Sequence, residues 1–299
     1  MIDPKGLSAF RAVLKNSSFE KAANQLFITQ SAVSQRLKLL EQSVGQSLVV
    51  RSPHLKATNA GQALLKYAQN LDQIERDLSA QLAPKKQLDW LKISIATNAD
   101  TLATWLLSAL APWCNEHRVL LDLKVEDQDQ THQLLNIGEV LGCISSLAHP
   151  AAGCTSESLG VLQYHCVVSP SFKEQFFAKG IGRAQFKKAP AVVFNDKDQL
   201  QSQYLKRYFD IDARAQIQHS IPSLEAYNEW IRLGMGFGMA PKIQLQSLLD
   251  SGEVVMLTPD KPIEVPLYWH QWGIKTPLSR SLSDQITQAA NIAHAQQNH

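Results

Sequence analysis

The stretch AANQLFITQSAVSQRLKLLEQSVGQSLVVR, from Ala22 to Arg51, decides the fold of the N-terminal part of the chain. Phe27-Ile28-Thr29 reads as a tight turn between two helices, and Thr29 is of the residue type that caps a helix start. In the helix that follows, Val33, Leu37, Leu40 and Val44 recur at helical spacing and form an apolar face. Ser31, Ser34, Gln35 and Lys38 fall on the opposite face at i, i+3, i+4 and i+7. Hydroxyls, an amide and a cation are the groups that bond to base edges and phosphates, and a major groove admits such a helix. Gly45 ends it.

Working outward, the preceding helix carries Phe19, Ala22, Ala23 and Leu26 on one side, and its two alanines allow a close helix crossing. Ser17 and Glu20 have capping-box spacing for its start. A first helix over Pro4–Lys15 has the stripe Leu7, Phe10 and Leu14. Downstream, Leu48–Arg51 and Lys56–Thr58 read as two short strands around Ser52-Pro53-His54, a wing from which Arg51 and Lys56 reach the DNA backbone or minor groove. Residues 1–58 are thus expected to form a winged helix-turn-helix head.

Charge supports the division. The chain of 299 residues has net charge +2, but residues 1–58 hold eight Lys and Arg against three Asp and Glu, an excess of +5, leaving −3 for the rest. A basic module on a mildly acidic body suits phosphate binding by the head alone. The 44% hydrophobic content is ample for a packed core. No apolar run is long enough to span a bilayer, and Met1–Phe10 lacks the build of a signal peptide. Cys114, Cys143, Cys154 and Cys166 have no CxxC spacing and read as idle thiols. These features predict a cytoplasmic protein with no membrane partner, no metal and no cofactor.

Residues 59–89 are expected to form a linker helix and hinge. From Thr58 to Leu82 there is no proline, and Ala60, Leu64, Tyr67, Leu71, Ile74 and Leu78 alternate in steps of four and three. Such a heptad seam wants a partner helix, so these residues are candidates for dimerisation. A homodimer would present two heads to half-sites about 34–36 Å apart.

Beyond residue 89 strands and helices alternate. Strands are expected at Leu91–Ala96, Val119–Val125, Val140–Ile144, Leu159–Ser169, Ala191–Asn195, Gln216–His219, Phe237–Ala240, Val254–Leu257 and Leu267–Gln271. Helices are expected at Asp100–Cys114, Gln130–Asn136 and Ser281–Gln296, among others. With Leu159–Ser169 and Leu267–Gln271 as crossings, residues 90–162 plus 267–299 make one α/β lobe and 163–266 a second, with a hinged ligand cleft between them. Helix starts at Thr97-Asn98-Ala99-Asp100-Thr101 and Pro222-Ser223-Leu224-Glu225 would offer N–H groups to a carboxylate. Asp100, Glu126, Asp127 and Asp129 would meet a cation. A site of both characters suits a zwitterion with a cationic side chain.

The stretch Ala22–Arg51 resembles the DNA-binding signature of LysR-type transcriptional regulators over its whole length, including Thr29-Gln30-Ser31, Leu40-Glu41 and Gly45. That resemblance implies that Gln30, Ser31, Ser34 and Gln35 face the groove, and that Arg51 and Thr58 support the wing and backbone contacts. The candidate DNA contacts are then Thr29, Gln30, Ser31, Ser34, Gln35, Arg36, Lys38, Arg51, Lys56 and Thr58. NADTLATWLLSALAP (98–112), VEDQDQTHQLLNIGEVLGCIS (125–145) and LYWH (267–270) look like the ArgP/LysG branch of the family. The branch implies lysine or arginine as effector and control of their export and metabolism; the expected architecture is a periplasmic-binding-protein-like effector domain, and the expected mechanism a dimer, paired again into a tetramer, whose contact with RNA polymerase changes with effector. The branch also implies, as an alternative, inhibition of chromosome replication initiation. The candidate effector contacts are Thr97, Asn98, Asp100, Thr101, Glu126, Asp127, Ser145 and Ser223.

Two rivals are weaker. An amino-acid enzyme would need a catalytic constellation, yet Gly234-Met235-Gly236-Phe237-Gly238 leads from helix to strand, the reverse of a phosphate loop, and no G-x-S-x-G, H-E-x-x-H or Walker pattern is present. A non-specific DNA-binding protein would have no use for a body of some 200 residues. The sequence therefore reads as a non-enzymatic, sequence-specific regulator.

Overall fold

The computed structural model describes residues 2–50, 55–82, 90–125, 128–137, 139–151, 153–212, 216–273 and 276–297. Asp3 opens the first helix, α1 (Pro4–Asn16), by accepting from the Gly6 N–H at 2.7 Å, with Pro4 in the first turn. Ser17, at φ 48°, ends α1. Ser18 then caps α2 (Phe19–Leu26), accepting from the Lys21 N–H at 3.3 Å. The cap thus sits one residue beyond the expected Ser17, because the residue in the left-handed turn cannot also supply the extended cap, and with Lys21 three residues on it is a simple N-cap and not the expected capping box. Thr29 caps α3 (Gln30–Val44) through Ala32 N at 3.2 Å, and Gly45 closes it at φ 74°. Ala22 and Ala23 are buried where α1, α2 and α3 meet, with Val13 and Val33. Phe10, Leu37, Leu40 and Leu48 form a second cluster.

The wing is β1 (Val49–Val50) antiparallel to β2 (Lys56–Ala57). Thr58 ties it to α4 (Asn59–Leu82): its hydroxyl donates to Ser47 O at 2.7 Å and accepts from Gly61 N at 3.0 Å. Gly61 passes so close to the Leu48 carbonyl that a Cβ there has no room. Leu64 completes the Phe10–Leu48 cluster.

The body begins with β3 (Leu91–Thr97), α5 (Ala99–Thr101), a π-helical stretch (Leu102–Leu106) and α6 (Leu107–His117). Then come β4 (Val119–Val125), α7 (Gln128–Ile137), β5 (Gly142–Ser145) and the long β6 (Cys154–Val168). The remainder runs α8 (Pro170–Phe177), α9 (Arg183–Phe186), β7 (Ala191–Val193), α10 (Leu200–Phe209), β8 (Gln218–Ser220), α11 (Leu224–Arg232), β9 (Gly238–Pro241), α12 (Lys242–Asp250), β10 (Val255–Met256), β11 (Ile263–Trp272) and α13 (Pro277–Gln297).

The main sheet has the order β10-β6-β11-β5-β3-β4, with β9 also on β6. β3 is parallel to β4 and to β5, whereas β6 and β11 are antiparallel over their length, from Ile263 against Tyr164 to Trp272 against Cys154, with an irregularity after Leu267. These two strands are the expected crossings. The Tyr268–Gln271 end of β11 joins the β3–β5 half by pairing with β5, and the far end of β6 carries β9 and β10. β7 pairs parallel with β8, and Ala191 bridges to Phe237 just before β9. The result is two α/β lobes on one pair of shared strands. A continuous core, from Ile95 and Trp269 to Phe172, Phe186 and Phe237, underlies both, and a smaller one with Tyr227 and Leu245 belongs to the second lobe.

Candidate functional site

The head presents the polar face of α3. Thr29, Gln30, Ser31, Gln35 and Lys38 are exposed, and Ser34 and Arg36 half-buried. Val33, Leu37 and Leu40 hold the opposite face at 0–1% exposure, which fixes how the helix is turned. Thr29 and Ser31 share a 2.9 Å hydrogen bond at its start. Lys56 is exposed on the wing strand, whereas the hydroxyl of Thr58 is already committed to Ser47 and Gly61, so its role is to position the wing. Arg51 lies outside the described residues.

On α4 the expected seam divides. Leu64 is 6% exposed because the head's own core takes it, while Tyr67, Ile74 and Leu78 stand 46, 49 and 52% exposed, with Leu71 half-buried. Lys66 lies over the Trp272 ring, 5.4 Å from its centroid, a contact from α4 to the far end of β11.

A cleft of about 800 Å³ opens between the lobes. Its first wall is built from the carboxyl ends of parallel strands: Asn98 and Asp100 after β3, Val125 at the end of β4, and Ser146 after β5. Phe194, Asn195 and Lys197 to Leu200, following β7, together with Leu224, Tyr227 and Gln244, form the second wall, so that a cation, Lys197, stands in it beside Asp198. Tyr164 of β6 and Glu264 of β11 lie along the crossing strands.

Asp100 is the central charge. Burial pushes its carboxyl up to about 6, the hydrogen bond from Tyr164 (Oη to Oδ2, 2.6 Å) opposes the rise, and the charge of Asp198 adds to it. Tyr164 is held neutral by burial and by the neighbouring Asp100. Asp198 accepts from Phe194 N and Leu200 N, each at 3.0 Å and on different oxygens. Tyr227 is locked by Met239 N (2.8 Å) and Gln201 Nε2 (2.9 Å). Asn98, 7% exposed, has a buried Oδ1 with no hydrogen-bond partner, and both amide atoms of Gln244 are in the same condition. Unpaired buried polar atoms lining a cleft are costly in an empty protein and are ready-made contacts for a polar ligand.

Of the residues expected from sequence, Asn98 and Asp100 line this cleft. Thr97 and Thr101 are fully buried beside them, the Thr101 hydroxyl without a partner. Ser145 is buried and spends its Oγ on Leu147 N at 3.2 Å, while its neighbour Ser146 reaches the cleft. Ser223 is exposed and caps α11 through Ala226 N; Leu224 lines the cleft in its place. Glu126 and Asp127 fall outside the described residues. Sequence reasoning missed Tyr164, Asp198 and Gln244. The rule that led to residues 97–101 applies equally to the loop after β7 and would have found Asp198; nothing local marks Tyr164, on a crossing strand. Among the described residues no group of His, Cys, Asp and Glu is arranged to hold a metal, and no helix is long and apolar enough to cross a membrane. All four cysteines are free thiols.

Comparison with known proteins matches both halves of the chain. Residues 4–62 fit the model described as bacterial regulatory helix-turn-helix protein, lysR family, and residues 91–291 the LysR substrate binding domain. The HTH-type transcriptional regulator ArgP of Photobacterium profundum is 37% identical over 292 residues, 98% of each chain. An ArgP of Pseudomonas fluorescens is 41% identical over 274 residues, 91% of each. Among solved structures, ArgP from Mycobacterium tuberculosis superimposes with a TM-score of 0.87 at 35% identity, covering 97% of this chain and 98% of that one. Full-length LysG from Corynebacterium glutamicum with bound effector Arg gives 0.83 at 32% identity with the same coverage.

Proposed function

The chain belongs to the LysR family of DNA-binding transcriptional regulators, and from that premise we propose that its cleft is the sensor site for a basic amino acid, arginine or lysine. The observation that carries this reading is the cleft's pair of carboxylates, Asp100 and Asp198, beside the unpaired amide oxygen of Asn98. Anionic groups suit a side-chain cation, and unpaired amides suit the amino and carboxyl ends. The arginine bound by the LysG neighbour supports the same chemistry.

In this reading Gln30, Ser31, Ser34 and Gln35 read bases, while Thr29, Arg36, Lys38 and Lys56 bind backbone. Tyr67, Leu71, Ile74 and Leu78 pair α4 with the same helix of a second chain, giving a dimer and, through further pairing, a tetramer. Effector changes the closure of the lobes and hence the spacing of the heads, which alters DNA bending and the approach of RNA polymerase. The effector works only through its different affinity for the two arrangements. The protein acts in the cytoplasm and catalyses no reaction.

Thermal unfolding of the full-length protein against a panel of amino acids tests the sensor. A ligand at about 100 times its Kd stabilises the native state by about 2.7 kcal/mol. Arginine or lysine should raise the unfolding temperature and neutral or acidic amino acids should not; a panel without a basic hit sinks the proposal.

A further inference from the structure

Asp100 stands on the first turn after β3, in the lobe built on β3–β5, and Asp198 in the loop between β7 and α10 of the other lobe, yet both line one cleft. The charge of Asp198 contributes to the raised values of Asp100, Tyr164 and Tyr227, which line the same cleft. Neither carboxylate is used up. Asp100 has one hydrogen bond, to Oδ2, and Asp198 one on each oxygen, against about four acceptor positions on an ionised carboxylate. Tyr164 and the two backbone N–H groups therefore hold the carboxylates in place without occupying them.

Two anions on opposite lobes repel, and the repulsion rises as the lobes approach. The charge of Asp198 adds to the rise of the Asp100 carboxyl and so acts against its ionised form, in a cleft that Lys197 and Glu264 also line. A cation between the two would offset that repulsion. A separate observation supports a ligand here: Asn98, next to Asp100 and 7% exposed, lines the same cleft with a buried Oδ1 that has no hydrogen-bond partner.

We propose that Asp198 is the second jaw of a two-lobe cation clamp: the effector's side-chain cation bridges Asp100 and Asp198, and this bridge both selects a cationic amino acid and draws the lobes together. The inference rests on the cleft being the effector site and adds the residue that makes its selectivity depend on both lobes. A guanidinium fits well, since its five donors lie in a planar fork able to serve two carboxylates.

The test is calorimetric titration of the full-length protein and its Asp198→Asn variant with arginine and with citrulline, which has a neutral ureido group in place of the guanidinium. The wild type should prefer arginine. Asp198→Asn should lose about tenfold or more in arginine affinity, with citrulline affinity unchanged, so that the preference narrows. An effect through the caps on Phe194 and Leu200 would weaken both ligands alike and would overturn the clamp. An undiminished preference in the variant would also overturn it while leaving the basic-effector reading intact. A wild type without preference for arginine or lysine over citrulline would sink both. Should the variant not fold, a crystal of the wild type with arginine decides: the guanidinium within hydrogen-bond distance of both carboxylates supports the clamp, and contact with Asp100 alone refutes it.

Discussion

Replacing Asp100 with asparagine should make the empty protein more stable while removing its response to effector. The Asp100 carboxyl, ordinarily near 3.8, is raised to about 6 by burial, against the Tyr164 hydrogen bond and with the help of Asp198. A carboxyl raised on folding binds its proton more tightly in the folded chain, so its charge is a liability that grows as pH rises from the unfolded value and is complete above the folded one. At about 1.4 kcal/mol per pKa unit, the gap from 3.8 to about 6 sets a ceiling near 3 kcal/mol. Asparagine removes the charge and keeps an acceptor for Tyr164. The assay is denaturant unfolding of wild type and variant at ~pH 8 and ~pH 4, without ligand; titrations elsewhere are shared by both proteins and cancel in the difference. The variant should be more stable by about 1–3 kcal/mol at the higher pH, and the gap should close at the lower. Added arginine should then stabilise the wild type and not the variant. A variant no more stable at the higher pH, or a gap of equal size at both, would refute the reasoning.

Other outcomes follow from the same geometry. Gln35→Ala should cost about 1–3 kcal/mol at one base position and relax preference there, read by competition among selected duplexes. Gly61→Ala forces a methyl group against the Leu48 carbonyl, so the head should lose about 1–3 kcal/mol or more of stability, with weaker DNA binding to match. Ile74→Asp with Leu78→Asp puts charges on the exposed side of α4 and should shift the sedimentation profile towards monomer. Lys66→Met removes the cation over Trp272 and should leave arginine binding unchanged while reducing its effect on DNA affinity, because Glu264 to Pro266 at the cleft and Trp272 at α4 lie on one strand.

The head was legible because its signals are local. Helical spacing alone turned Val33, Leu37 and Leu40 inward and Gln35 outward, and the slip from Ser17 to Ser18 at one cap moved nothing else. Spacing on α4 identified an apolar seam but not the surface that takes it: Leu64 went to the head because Gly61 brings α4 against Leu48. The lobes were legible from strand and helix alternation, and the carboxyl-end rule led to Asn98 and Asp100. Ser145 and Ser146 show its limit, since adjacent residues at a strand end face opposite ways and one step decides which meets the cleft. Tyr164 and Asp198 join Asp100 only through folding, 64 and 98 residues along the chain, a juxtaposition no local pattern contains.

The central claim is that occupancy of the cleft by a basic amino acid changes how the head engages DNA. Its most direct test is the affinity and footprint of the full-length protein on a duplex selected from random sequence, with and without saturating arginine or lysine. The account predicts a sequence-specific footprint whose affinity or protected spacing changes with effector. A specific footprint that is identical with and without either amino acid would contradict it.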